Sequence, residues 1–170
     1  MFKSSSYEEI KKLLNSKLPP SIENDEMKSK NLKNDVFSKV VDLEINMSKY
    51  STKEKDDLEH SEGGIIKGYY EDETLKIMNT NYFASMFNEE SWYYILGGNN
   101  VFVKITKRDY FYDIEKDSLD YNTVNENSKY YLLRANFEVY EYNPDNKVFE
   151  EYADKEILFR YKNIRRYLEE

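Results

Sequence analysis

The chain has 170 residues, a formal net charge of −8 and no cysteine. Disulfides, thiolate metal centres and a cysteine nucleophile are excluded, and the excess of acid disfavours DNA, RNA or an anionic membrane surface as partner. No run of about 18 apolar residues is present, so no segment is built as a membrane-spanning helix.

The length fits a single α+β domain over residues 1–170 with its own core. Aromatic residues make up 16% of the chain, and fifteen of the seventeen tyrosines lie from Tyr69 onward. Tyrosine joins apolar area to a polar tip, so a tyrosine-rich sheet can have a packed face and a wet one. Before Gly64 there are 11 basic and 13 acidic residues, and from Gly64 onward 14 and 20, so the acidity belongs mainly to the tyrosine-rich part.

Residues 1–60 read as mainly helical. Ser5 and Ser6 each precede a glutamate by three, Glu8 and Glu9, the spacing of a capping box. Tyr7, Ile10, Leu13 and Leu14 share one helical face, and Pro19-Pro20 ends the helix. Residues 21–35 read as a polar loop, helical toward its end. Val36, Val40, Leu43, Met47 and Tyr50 then form a helical stripe. The rival is a strand, with Val41, Leu43, Ile45 and Met47 alternating against polar neighbours; the stripe is longer than strands usually run. Ser51 to Asp57 reads as a solvated connector closed by Gly63-Gly64. His60 is the only histidine, so a catalytic triad or a histidine-rich metal site is not available.

From Ile65 the period changes to two. Tyr69-Tyr70, Tyr93-Tyr94 and Tyr130-Tyr131 each open a β-prone run, a polar or glycine turn and a second run. Three hairpins in series predict an antiparallel β-meander of about six to eight strands over 65–151. Turns are expected at Glu71–Thr74, Gly97–Asn100, Arg134–Asn136 and Asn143–Asn146. Residues 113–128 read as a long polar insertion, functional or mobile by its length. Ile157, Tyr161, Ile164 and Leu168 predict a closing helix over 154–168, with Asp154 as its cap. N-terminal helices and this C-terminal helix then pack on the sheet.

The run Ser61-Glu62-Gly63-Gly64-Ile65-Ile66-Lys67-Gly68-Tyr69-Tyr70, with Leu75-Lys76-Ile77, Tyr93-Tyr94 and Val101-Phe102-Val103, resembles a group of small uncharacterised bacterial proteins. Those proteins carry an amphipathic helix, a Glu-Gly-Gly-type turn and a meander of paired aromatics, and many are similar to envelope lipoproteins. The resemblance spans about residues 36–112. It implies the meander fold and an exported bacterial protein, and it implies no activity.

Searching for chemistry leaves a few candidates. The alternating acids Asp113, Glu115, Asp117 and Asp120 look like a calcium loop, but its sixth position is Ser118 and its twelfth Val124, where glycine and glutamate belong. An extended acidic loop is the simpler reading. Glu71-Asp72-Glu73 and Glu89-Glu90 could supply a hydrolytic carboxylate pair, which needs a defined separation across a cleft. Arg160, Lys162, Arg165 and Arg166 could bind an anion or simply face the negative end of the last helix. Trp92, the only tryptophan, should face the side of Tyr94, as a contact or as core. These residues point to a non-catalytic protein-binding protein without metal or cofactor. Its contacts would be Trp92, Tyr94, Asp113, Glu115, Asp117 and Asp120, and its partner basic. The alternatives are an acidic inhibitor or immunity-type protein for a basic toxin or enzyme, and a carboxylate hydrolase.

Overall fold

The computed structural model describes residues 5–15, 30–56 and 62–170. The expectations for Pro19-Pro20, the loop at 21–29 and His60 lie outside the described residues, as do the side chains of Ser5 and Ser6. Helices α1 (Ser5–Asn15) and α2 (Lys30–Asn46) are followed by a 3-10 turn, Met47–Lys49. Eight strands come next: β1 (Ser51–Asp56), β2 (Gly64–Glu71), β3 (Thr74–Phe83), β4 (Phe87–Gly97), β5 (Asn100–Asp113), β6 (Ser118–Leu133), β7 (Val139–Asn143) and β8 (Val148–Glu151). Helix α3 (Glu156–Glu169) closes the chain. The strands form one antiparallel sheet in chain order, so the protein is an α+β meander. Every neighbour in the sheet is a neighbour in sequence, and each pair is joined locally. The β2–β3 turn shows how: Asp72 and Glu73 take φ of 46° and 64°, the left-handed pair that matches strand twist in a two-residue hairpin.

Both faces of the sheet are covered. Successive side chains of a strand point to opposite faces, so each tyrosine pair is divided. Tyr93, Val103 and Tyr131 join the core beneath α3, with Leu158, Tyr161, Ile164 and Leu168 of that helix. Tyr94, Phe102 and Leu132 join the core beneath α1 and α2, with Ile10, Val36, Phe37 and Val40. Phe37 meets Phe102 and Tyr142 edge-on at centroid distances of 5.5 and 5.4 Å. A bulge makes Lys76 the extra residue of β3, since Tyr70 pairs with Leu75 but Tyr69 with Ile77. Leu75 therefore faces α3 while Ile77 faces α2, although they are two residues apart.

Several expectations are corrected. Ser51–Asp56 is an edge strand paired with β2 and not a connector. Its burial is low throughout, which hid it from any pattern of alternation. The helix read from Val36 begins at Lys30 and ends at Asn46. Tyr130 pairs with Lys104 of β5; Tyr131 to Leu133 are the residues that meet β7. Phe137, expected in a strand, is exposed at φ 66° in the turn before it. Most importantly, 113–128 is not a loop. β5 runs to Asp113, Ile114 to Asp117 turn, and β6 starts at Ser118.

Candidate interaction arm

The hairpin of β5 and β6 is the most distinctive feature of the molecule. β4 pairs with β5 only as far as Asp109, opposite Phe87, and β7 pairs only with Tyr131–Leu133 of β6. The hairpin beyond Asp109 therefore projects past the rest of the sheet as an arm of two strands. Its root is tied by the Tyr110 N–H, which donates to the Met86 carbonyl at 2.9 Å. Its register shifts between Tyr110, opposite Val124, and Phe111, opposite Asp120. Tyr121 to Thr123 are thus extra residues on β6, the kind of bulge that bends a strand pair. Tyr110 and Tyr121 close over it edge-to-face at 5.2 Å.

The arm exposes Phe111, Tyr112, Ile114, Tyr121 and Val124, Ile114 at 85%. Phe83 and Met86, also exposed, flank the β3–β4 connection that holds its root. Large apolar side chains grouped in solvent mark contact surfaces, whereas scattered ones mean little. Between them stand four carboxylates, Asp113, Glu115, Asp117 and Asp120, against one lysine, Lys116.

Three of these acids also build the arm. Asp113 accepts the N–H groups of Glu115 and Lys116 at 3.1 and 3.2 Å and pairs with the Lys116 ammonium at 2.9 Å. The Lys116 ammonium, then these N–H groups, hold its carboxyl below the ordinary range. Asp117, at φ 50°, accepts the Tyr112 hydroxyl, and that bond raises the Tyr112 pKa. Asp120 accepts the Asn122 N–H at 2.8 Å. Among the described residues no group of three or more histidine or carboxylate side chains is arranged to hold a metal ion.

Trp92 and Tyr94 do not join this site. Trp92 pairs across to Lys104, and Asp113 lies nine residues further along β5, about 30 Å at ~3.4 Å per residue. Trp92 is half-buried between Tyr69 and Tyr94 at centroid distances of 6.1 and 6.4 Å. Tyr94 is fully buried and donates its hydroxyl to the buried carboxylate of Glu44 on α2. Tyr94 is core and offers no contact surface. The four acids singled out in the sequence lie on the one hairpin of the arm, whereas its exposed apolar residues Phe111, Tyr112, Ile114, Tyr121 and Val124 were not singled out as contacts. The alternation Leu119, Tyr121, Thr123 was the available strand signal.

No protein-family model matches this chain, and neither a curated protein nor a solved structure is significantly similar to it.

Proposed function

We propose that this chain is a non-catalytic protein-binding module whose arm, β5 beyond Asp109 with the start of β6, engages a basic partner. The observation that carries the reading is the concentration of exposed aromatic and aliphatic side chains on a hairpin that nothing in the sheet requires. Aromatic side chains supply large contact area at low entropic cost, and the interleaved acids steer a cationic surface toward them. An inhibitor or immunity-type role is a special case of the same geometry, with a basic toxin or enzyme as partner. The carboxylate-hydrolase alternative has less support. Glu89 is committed to Arg160 at 2.7 Å, and Glu71, Asp72 and Glu73 are exposed at the β2–β3 turn, without the burial that makes a carboxyl a general acid.

A photo-crosslinker in place of Ile114 identifies the partner, whose affinity is then measured against three forms of the chain. Phe111→Ser/Tyr112→Ser/Ile114→Ser is expected to weaken binding about tenfold or more, about 1.4 kcal/mol. Neutralising Asp113, Glu115, Asp117 and Asp120 to the amides is expected to slow association and flatten its salt dependence. Unchanged affinity in the triple variant, or a footprint confined to α1 and α2, refutes the assignment.

A further inference from the structure

We propose a second, separate site: the groove between α3 and the β2–β3, β4–β5 and β6–β7 turns binds a small amphipathic carboxylate. The groove encloses about 610 Å³, within the range of small-molecule sites. Its apolar lining comes from Leu75, Ile95, Val101 and Leu133, of which Leu75, Val101 and Leu133 are buried under α3 and Ile95 is half-buried. Its rim is cationic, with Arg134 from the β6–β7 turn and Lys162, Arg165 and Arg166 from α3. Such a cluster is unexpected on a chain of net charge −8.

The partners of these cations decide which are available. Arg160, grouped with them in sequence, turns away to Glu89. Arg165 is held by Glu169 at 2.9 Å and by the Tyr161 hydroxyl at 3.0 Å, and Arg166 has Glu170 at 4.0 Å. Arg134 and Lys162 form no salt bridge among the described residues; Arg134 lies near enough to Glu138 to help hold its carboxyl down, and Lys162 lies 4.1 Å above the Phe137 ring. Phe137 itself is exposed, held at the groove's lip at φ 66°. Glu73 and Glu169 are the acids of the lining, and α3 turns its carbonyl end this way, which opposes an anion. With Glu170 on Arg166 and Glu138 beside Arg134 the acids equal the four cations, so the site rests on Arg134 and Lys162, which have no salt bridge. A guanidinium and an ammonium beside this apolar surface fit a carboxylate head with an alkyl or aryl tail: the head pairs with Arg134 and the tail lies against the half-buried Ile95 and the exposed Phe137 ring.

The test titrates the full chain with octanoate, octan-1-ol, octylammonium and acetate, by calorimetry and by amide chemical shifts. Octanoate is expected to bind about tenfold tighter or better than each of the other three, with shifts centred on Gly97, Ala135 and Phe137. Arg134→Gln/Lys162→Gln, at a half-buried and an exposed position outside both cores, is expected to cost octanoate about tenfold in affinity while the melting temperature moves by about 2 °C or less. Lys116→Gln on the arm leaves octanoate binding unchanged. Octanol binding as well as octanoate, acetate binding as well, shifts away from the groove, or full affinity in the double variant each overturn the proposal.

Discussion

Gly68 and Lys104 show how single residues hold the layers together. Gly68 faces α3 in the middle of β2, and the Tyr70 ring folds back over it. A Cβ there would lie 2.7 Å from Tyr70 Cε2 and 2.9 Å from its hydroxyl. Tyr70 is buried and has Lys53 stacked on its ring at 5.0 Å, so it cannot simply swing away. Gly68→Ala is expected to destabilise the protein by about 1–3 kcal/mol, and Tyr70→Leu in the same chain to recover part of that; urea unfolding of the two variants measures both. On the other face, Lys104 is 4% exposed and meets Glu9 of α1 at 2.7 Å. The Tyr130 hydroxyl donates to the same Glu9 oxygen at 3.2 Å. Glu9→Gln leaves a buried ammonium without its counter-charge. Because Glu9 is partly exposed, the expected loss is about 2 kcal/mol, below the 3–5 kcal/mol or so of a fully buried pair. A chemical melt showing less than about 0.5 kcal/mol of change would mean that water already screens this contact.

At the scale of elements, the sheet controls its edges and leaves one stretch open. β1, an outer strand, is rich in Lys53, Glu54 and Lys55, and is tied to α3 by the Lys55 ammonium, which donates to the Tyr167 carbonyl at 2.6 Å. β8, the other edge, is only four residues long. Charge and shortness are both ways of discouraging strand-on-strand aggregation. β6 has no strand on its outer side between Ser118 and Tyr130, and there Asp120, Glu126 and Lys129 supply the charges. The arm adds little to the core, since none of its residues belongs to either buried cluster. Replacing the residues between Tyr110 and Val124 with Asn-Gly, a two-residue hairpin turn, is expected to move the melting temperature by about 3 °C or less while abolishing partner binding. A large thermal loss on calorimetry would show that the arm is a structural element.

For the whole molecule, the tyrosines make stability depend on alkaline pH. Burial pushes the Tyr93, Tyr130 and Tyr131 hydroxyls well above their usual pKa, with nearby acids adding to the last two. Tyr140 is pushed up to about 12, first by its bond to Glu138. In the unfolded chain these groups titrate near pH 10 or so. Below that pH both states are protonated and the contribution is complete. Above it the unfolded chain binds fewer protons than the native one, so stability falls as pH rises toward the native pKa values. Urea melts are expected to give constant stability from about pH 8 to 9 and a steep decline above about pH 10. Tyrosinate absorbance should then rise together with loss of structure, and titration of all seventeen tyrosines without unfolding would contradict this.

The sequence alone determined what local chemistry controls. Paired tyrosines, turn residues and the Ile157-Tyr161-Ile164-Leu168 stripe specified hairpins, their order and the closing helix, because each rests on spacing within a few residues. Asp154 was read as the cap of α3, but Lys155 holds that position; Asp154 stands one residue earlier and accepts the Glu156 N–H at 2.9 Å. The tertiary structure decided everything that depends on what covers a surface. Tyr94 and Trp92 share a face, but only the placement of α2 makes one core and the other half-buried. Lys104 and Glu44 are buried charges only because α1 and α2 dock on the sheet, where Glu9 meets Lys104 and Tyr94 meets Glu44. Residues 113–128 read as a loop because their polarity outweighs the short alternation Leu119, Tyr121, Thr123, and an arm with no core to face needs none longer. Arg134 and Lys162, 28 positions apart, share a groove because a turn and a helix meet there. Spacing records neighbours along the chain, and burial is settled by contacts that the chain makes only once it is folded.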